Sequence, residues 1–156
     1  MNSYDQSVYD LWQKFIEAKP EYAGREFTAW YFCDTEDCAN KLAELVKQGI
    51  KRGTTSLNYW YETAGEKLPE AGQLNVITDW NGKAQCITRT KKITILPFRE
   101  VGEDLAFIEG EGDKSLDYWR EAHISFFTRE LEKLNIEFSE DMLVVFEEFE
   151  VVYRLP

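Results

Sequence analysis

Residues 74–90 read LNVITDWNGKAQCITRT, two runs rich in β-branched residues around Asn81-Gly82. Asn-Gly supplies the two positive-φ positions of a tight two-residue turn, so 74–80 and 84–90 are predicted as a hairpin. A hairpin makes neighbouring strands antiparallel. With strands linked mostly by hairpins and helices grouped early and late, this indicates α+β rather than a wound parallel sheet. Residues 93–96 carry the sheet on to Pro97, and 54–60 adds an upstream strand of hydroxyl and aromatic residues. The apolar run 142–153 is expected to pair within the same sheet.

Helical spacing takes over on either side. Val8, Leu11, Trp12, Phe15 and Ile16 place an amphipathic helix over 4–18, closed before Pro20. A short aromatic strand follows at 27–32. Asp34 then reads as the N-cap of a helix over 35–48, with Ala39, Leu42, Leu45 and Val46 on one face and Gly49 at its C-cap. Ser115 caps a long helix over 115–134 carrying Leu116, Trp119, His123, Phe126, Phe127 and Leu131. The expectation is a single α+β domain over 1–156: a small, mixed, partly closed β-barrel with helices packed on it.

Composition bounds the function. The chain has 156 residues, 44% hydrophobic and 15% aromatic, enough for a real core. No apolar run reaches bilayer length, and Asp5, Asp10 and Glu17 stand where a secretory signal would be basic and then apolar, so a cytoplasmic protein is expected. Cys33, Cys38 and Cys86 are an odd count without a C-x-x-C pair and with only one histidine. They read as buried or idle thiols, and neither a metal nor another cofactor is expected. Eighteen basic against 29 acidic residues give a net charge of −11, which repels polyanions and argues against duplex DNA. The charges are segregated, however. Residues 83–92 hold Lys83, Arg89, Lys91 and Lys92 without an acid, and 100–113 hold six acids without a base.

The stretch with most chemistry is Gly49-Ile50-Lys51-Arg52-Gly53-Thr54-Thr55-Ser56-Leu57. A glycine turn after a helix lets backbone N–H groups approach an anion, Lys51 and Arg52 add charge, and Thr54, Thr55 and Ser56 offer hydroxyls. The alternative is cations complementing a helix C-terminus at the start of a strand. Its spacing is not that of a Walker P-loop. Glu109-Gly110-Glu111-Gly112-Asp113 is a second candidate, an acidic turn that supplies a proton carrier or a partner for Lys51. It lacks calcium-loop spacing. His123 reads as a packed core residue, and Trp60, with Tyr59 and Tyr61, as a stacking surface for a base, although strand alternation sends about half of these rings into the core.

Together these segments resemble the longer bacterial members of the ASCH family, a branch of the PUA-like barrels. The resemblance runs over residues 30–153. It is carried by Gly49-x-Lys51-x-x-Thr54-x-Ser56-Leu57, the central hairpin, Phe98-Arg99-Glu100-Val101, Ala106-x-x-Glu109-Gly110-Glu111-Gly112-Asp113, Ser115-Leu116-x-x-Trp119 and His123-x-x-Phe126-Phe127. It implies a cleft that takes a nucleoside, a nucleotide or a short single-stranded RNA, without a metal. Similarity to small bacterial amidohydrolases acting on acetylated cytidine implies Lys51, Thr54 and Glu109 as the catalytic set, with Glu111 as rival to Glu109. Gly49, Arg52, Gly53, Thr55, Ser56, Glu111 and Trp60 would line the ligand. In that scheme a desolvated Lys51 loses its proton and activates Thr54. A ribonuclease and a non-catalytic binding module are the other readings the resemblance allows.

Overall fold

The computed structural model describes residues 3–155. Five strands, β1 (Phe27–Trp30), β2 (Gly53–Leu57), β3 (Leu74–Thr78), β4 (Ala84–Pro97) and β5 (Leu143–Arg154), form one sheet in the order β1-β3-β4-β5-β2. The helices are α1 (Gln6–Ala18), α2 (Glu36–Lys47), α3 (Asn58–Thr63), α4 (Glu103–Glu109) and α5 (Leu116–Glu132). The α+β class and the pairing of the last strand within the sheet agree with the sequence reading. Barrel closure does not: β1 and β2 each end the strand order, so the sheet is open. It is mixed, because β1 runs parallel to β3 while β3–β4 and β2–β5 are antiparallel.

The described residues divide into two compact units, one of residues 3–49, 71–91 and 149–155 and one of residues 50–70 and 92–148. In the first, Asp5 caps α1 by accepting from the Ser7 N–H at 2.9 Å, and Val8, Leu11 and Phe15 sink into a core with Leu74, Val76 and Ile87. α2 buries Ala39, Ala43 and Val46 beside Phe32, Ile77 and Phe149. Its cap is Thr35, which accepts from the Cys38 N–H at 3.3 Å, not Asp34 as the sequence suggested. The turn between β3 and β4 is wider than a two-residue hairpin. The Asp79 side chain accepts from the N–H groups of Asn81 and Lys83, a bulge falls at Ile77/Thr78, and Gly82 takes the positive φ. Cys33 and Cys38 form a disulfide, correcting the reading of both as thiols, while Cys86 is the buried free cysteine. Five residues of separation place both cysteines at the mouth of α2, within reach of each other.

The second unit packs Leu57, Phe98, Val101, Ala106, Trp119, Phe127, Leu131 and Val144 into one core. Ser115 caps α5 as expected, accepting from the Tyr118 N–H at 3.1 Å. Residues 58–63 are helical although 54–60 was read as strand, because one turn of helix lays Tyr59 and Trp60 against that core. No helix among the described residues is long and apolar enough to cross a membrane.

Candidate functional site

Lys51 lies between Gly49, which takes a left-handed φ of 79° after α2, and the first residue of β2. The Arg52 N–H donates to the Ile108 carbonyl at 2.8 Å, tying this turn to α4. Two glycines permit the approach. A Cβ on Gly53 would lie 2.7 Å from the Phe146 ring, and one on Gly110, whose φ is +67°, would lie 2.3 Å from the Ile50 carbonyl oxygen. Gly110 ends α4 directly after Glu109 and turns Glu111 back toward Lys51.

The result is a buried ionic centre. The Lys51 Nζ donates to Glu111 Oε2 and to the Gly53 carbonyl, each at 2.8 Å, and stands 3.9 Å from Glu109 Oε1. Glu109 is wholly buried at the end of α4; its Oε2 accepts from the Trp119 indole N–H and faces His123 Nε2 at 3.0 Å. His123 Nδ1 lies 2.8 Å from the Trp119 carbonyl. A carbonyl only accepts, so Nδ1 must donate, and a carboxylate at Nε2 asks that nitrogen to donate as well. Both demands are met by the imidazolium. Two cations and two anions then balance.

The titration directions agree. Burial pulls the Lys51 ammonium down, but the Glu111 and Glu109 charges outweigh it and raise its pKa above the usual lysine value. Burial likewise opposes charge on Glu109, and His123, Lys51 and the indole hydrogen bond overcome it to hold the carboxyl well below its usual range. His123 is raised against its own burial, chiefly by the Glu109 charge. Lys51 is therefore held as the ammonium, contrary to the expectation that desolvation would make it a base. The acidic turn read from the sequence as a partner for Lys51 does take that role: Glu111 reaches it from sixty residues on, and Glu109 adds a second carboxylate.

Of the sequence-predicted residues, the structure brings together Lys51, Glu109, Glu111 and the Gly53 backbone. Thr54 and Ser56 occupy the half-buried face of β2, opposite the buried Gly53, Thr55 and Leu57. Thr54 sits in register with Glu147. Arg52 points outward, with its guanidinium carbon 5.8 Å from the centroid of the Phe107 ring. Trp60 lies on α3 beside Ser56 and Tyr61. His123 and Trp119 were read as core, and they are buried, yet they also complete the ionic centre. Their i, i+4 spacing and the presence of a single histidine were the only signals available. Glu109, Glu111 and His123 also present ligand atoms within 4.8 Å of one another. In this arrangement Glu111 Oε2 accepts from the Lys51 ammonium, and Glu109 Oε2 accepts from the indole and faces the imidazole.

With this geometry in view, the ASCH domain model matches residues 28–153. The chain belongs to the ASCH domain family. Its fold is similar to that of an ASCH domain from Lactobacillus crispatus JV V101, with 41% identity, 99% of each chain covered and a TM-score of 0.92. A protein from Enterococcus faecalis V583 is also similar, with 38% identity, 94% of this chain and 88% of that one covered and a TM-score of 0.85. A hypothetical protein with 20% identity and a TM-score of 0.51, covering 80% of this chain and 96% of its own, shares the fold alone. No curated protein matches this ASCH domain.

Proposed function

We propose that this ASCH domain binds a nucleotide or a short single-stranded RNA, with the surface around Phe107 as its contact face. One observation carries the reading. Phe107 is 54% exposed on α4, with the Arg52 guanidinium carbon 5.8 Å and the Lys114 Nζ 5.5 Å from its ring centroid. The two long cationic side chains rest over the exposed ring, and a base can take their place on it while they turn to the adjoining phosphate. The ionic centre anchors both ends of this surface, because Arg52 follows Lys51 and Lys114 follows the Glu109–Asp113 turn. Membership of a family generally proposed to bind RNA supports the same reading. The net charge of −11 favours a short ligand over a long polyanion.

Fluorescence anisotropy with labelled single-stranded RNA of a few nucleotides tests it. Phe107→Ala is expected to weaken binding about tenfold, within the range of about 1–3 kcal/mol for one stacked base. Arg52→Ala and Lys114→Ala are expected to weaken binding and flatten its salt dependence. Unchanged affinity in all three variants would sink the reading.

A second reading, a metal-independent hydrolase of the amidohydrolase or ribonuclease type, is favoured by one atom. Glu109 Oε1 is buried without a hydrogen-bond partner, 3.9 Å from the Lys51 Nζ, and is available to accept a proton. In that scheme Thr54 remains the candidate nucleophile, and Lys51 stabilises negative charge and is not the base. Lys51→Arg would then retain part of the turnover, while Lys51→Ala and Thr54→Val would lose it. Assays on acetylated cytidine and short RNA decide, and the absence of turnover by the wild type on either substrate removes this reading.

A further inference from the structure

The second unit carries a concavity of about 280 Å³ walled by Ser56 from β2, Trp60 and Tyr61 from α3, Glu66 from the following loop and Glu130 from α5. Its chemistry is the reverse of the Arg52–Phe107–Lys114 face. No lysine or arginine is among the described residues that line it. Lys133 approaches Glu130 at 3.7 Å from outside, with its side chain 68% exposed. The Ser56 and Tyr61 hydroxyls bond each other at 2.9 Å, which uses one of their two protons and leaves lone pairs directed elsewhere. The Tyr61 hydroxyl is pushed above its usual range, by burial first and then by the Glu147 and Glu66 charges against the opposing Ser56 bond. Hydroxyl acceptors, two aromatic rings and two carboxylates meet here.

We propose that this pocket binds the alkylammonium or guanidinium head of an organic cation, with Trp60 and Tyr61 as its aromatic walls and Glu66 and Glu130 as its counter-charges. A cation over an indole or phenol face is attracted by the ring quadrupole, and carboxylates at the rim add charge-assisted hydrogen bonds. Phosphate is repelled by the same carboxylates, so this is not the seat of a nucleotide backbone. The volume suits a head group and a few methylenes. The inference goes beyond the RNA reading and stands without it. The chemistry is shared by a free polyamine and by the basic side chain of a peptide.

Calorimetric titration of the whole chain separates the sources and tests the site. The probes are spermidine, N-acetyl-lysine amide and N-acetyl-arginine amide, with N-acetyl-norleucine amide as the neutral control. Salt at about 150 mM, where the Debye length is about 8 Å, suppresses diffuse attraction to an acidic protein. At least one cation is expected to bind saturably with one-to-one stoichiometry, and the norleucine compound is expected not to bind. Preference for spermidine points to a polyamine, and preference for either capped amino acid points to a peptide side chain. The double substitution Glu66→Gln and Glu130→Gln should weaken binding about tenfold or more. Trp60→Phe, which keeps a ring and the packing, should weaken it about threefold because phenyl is the poorer cation–π partner. Binding unaffected by both variants, or no binding by any cation, would overturn the proposal.

Discussion

Each compact unit buries a polar cluster, and the two clusters are built on different physics. In the first unit Asn75, at the centre of β3, accepts at Oδ1 from Thr28 Oγ1 at 2.9 Å, Gln73 Nε2 at 3.0 Å and Trp30 Nε1 at 3.2 Å. Its Nδ2 donates to Thr90 Oγ1 at 3.4 Å. All of these groups are neutral. In the second unit the corresponding role falls to Lys51, Glu109, Glu111 and His123, which are charged and stabilise one another against burial. A neutral network pins register: Asn75 faces Thr28 on β1 and Thr88 on β4, and a slip of one residue would turn its amide to the other face. An ionic centre does more and costs more. It fixes the turn that carries Arg52, at the expense of desolvating four ionisable side chains. The difference predicts that the neutral cluster contributes a stability independent of pH and that the ionic centre does not.

The largest expected effect comes from removing one charge of the ionic centre. Glu109→Ala leaves Lys51 and His123 facing fewer carboxylates in a buried site and should cost about 3–5 kcal/mol in urea unfolding. A loss below about 1 kcal/mol would mean that the site rehydrates freely and that the contrast between the two clusters is false. The same measurement repeated across pH sharpens the point. His123 is raised, so its stabilising contribution is complete below its unfolded value of 6.5 and is lost as pH rises through the folded value. Glu109 is depressed, so its contribution is present above 4.5 and is lost as pH falls toward its folded value. Stability should therefore peak between these limits in the wild type and vary less with pH in Glu109→Gln.

Next in size is the covalent tie in the first unit. Replacing Cys33 and Cys38 by serine opens a short loop and is expected to lower stability by about 2 kcal/mol on the chain-entropy account. Reduction of the wild type should match it, and a wild type insensitive to reductant would deny the disulfide a role in stability.

The smallest effect belongs to the neutral network. Asn75→Ala should cost about 1–2 kcal/mol, since its partners lose neutral hydrogen bonds only. The pH profile of this variant should run parallel to that of the wild type. A profile altered as much as that of Glu109→Gln would erase the distinction between the clusters.

The outline of this architecture was legible in the chain. Ser115 and the stripe through Trp119, Phe127 and Leu131 announced α5, and the β-branched runs around Asn81-Gly82 announced β3 and β4. Errors arose where local preference had competitors. Asp34 and Thr35 are both good caps, and the backbone selected Thr35. Residues 58–60 have strand-like composition, yet one helical turn buries Tyr59 and Trp60 better. Closure of the sheet was invisible, because no property of β1 or β2 taken alone says whether its outer edge finds a partner.

The sequence by itself determined the family, the α+β class and the two segments, 49–57 and 109–113, that supply the candidate site. Those properties reside in turn glycines, caps and periodicity, which act over a few residues. The tertiary structure alone decided the protonation of that site. Lys51 in isolation, desolvated, should lose its proton; only the arrival of Glu109 and Glu111, with His123 and Trp119 fixing Glu109, keeps it charged. Charge in a buried site depends on the sum of all neighbours within a few ångströms, and neighbours so distant in the chain meet only when the core of the second unit forms.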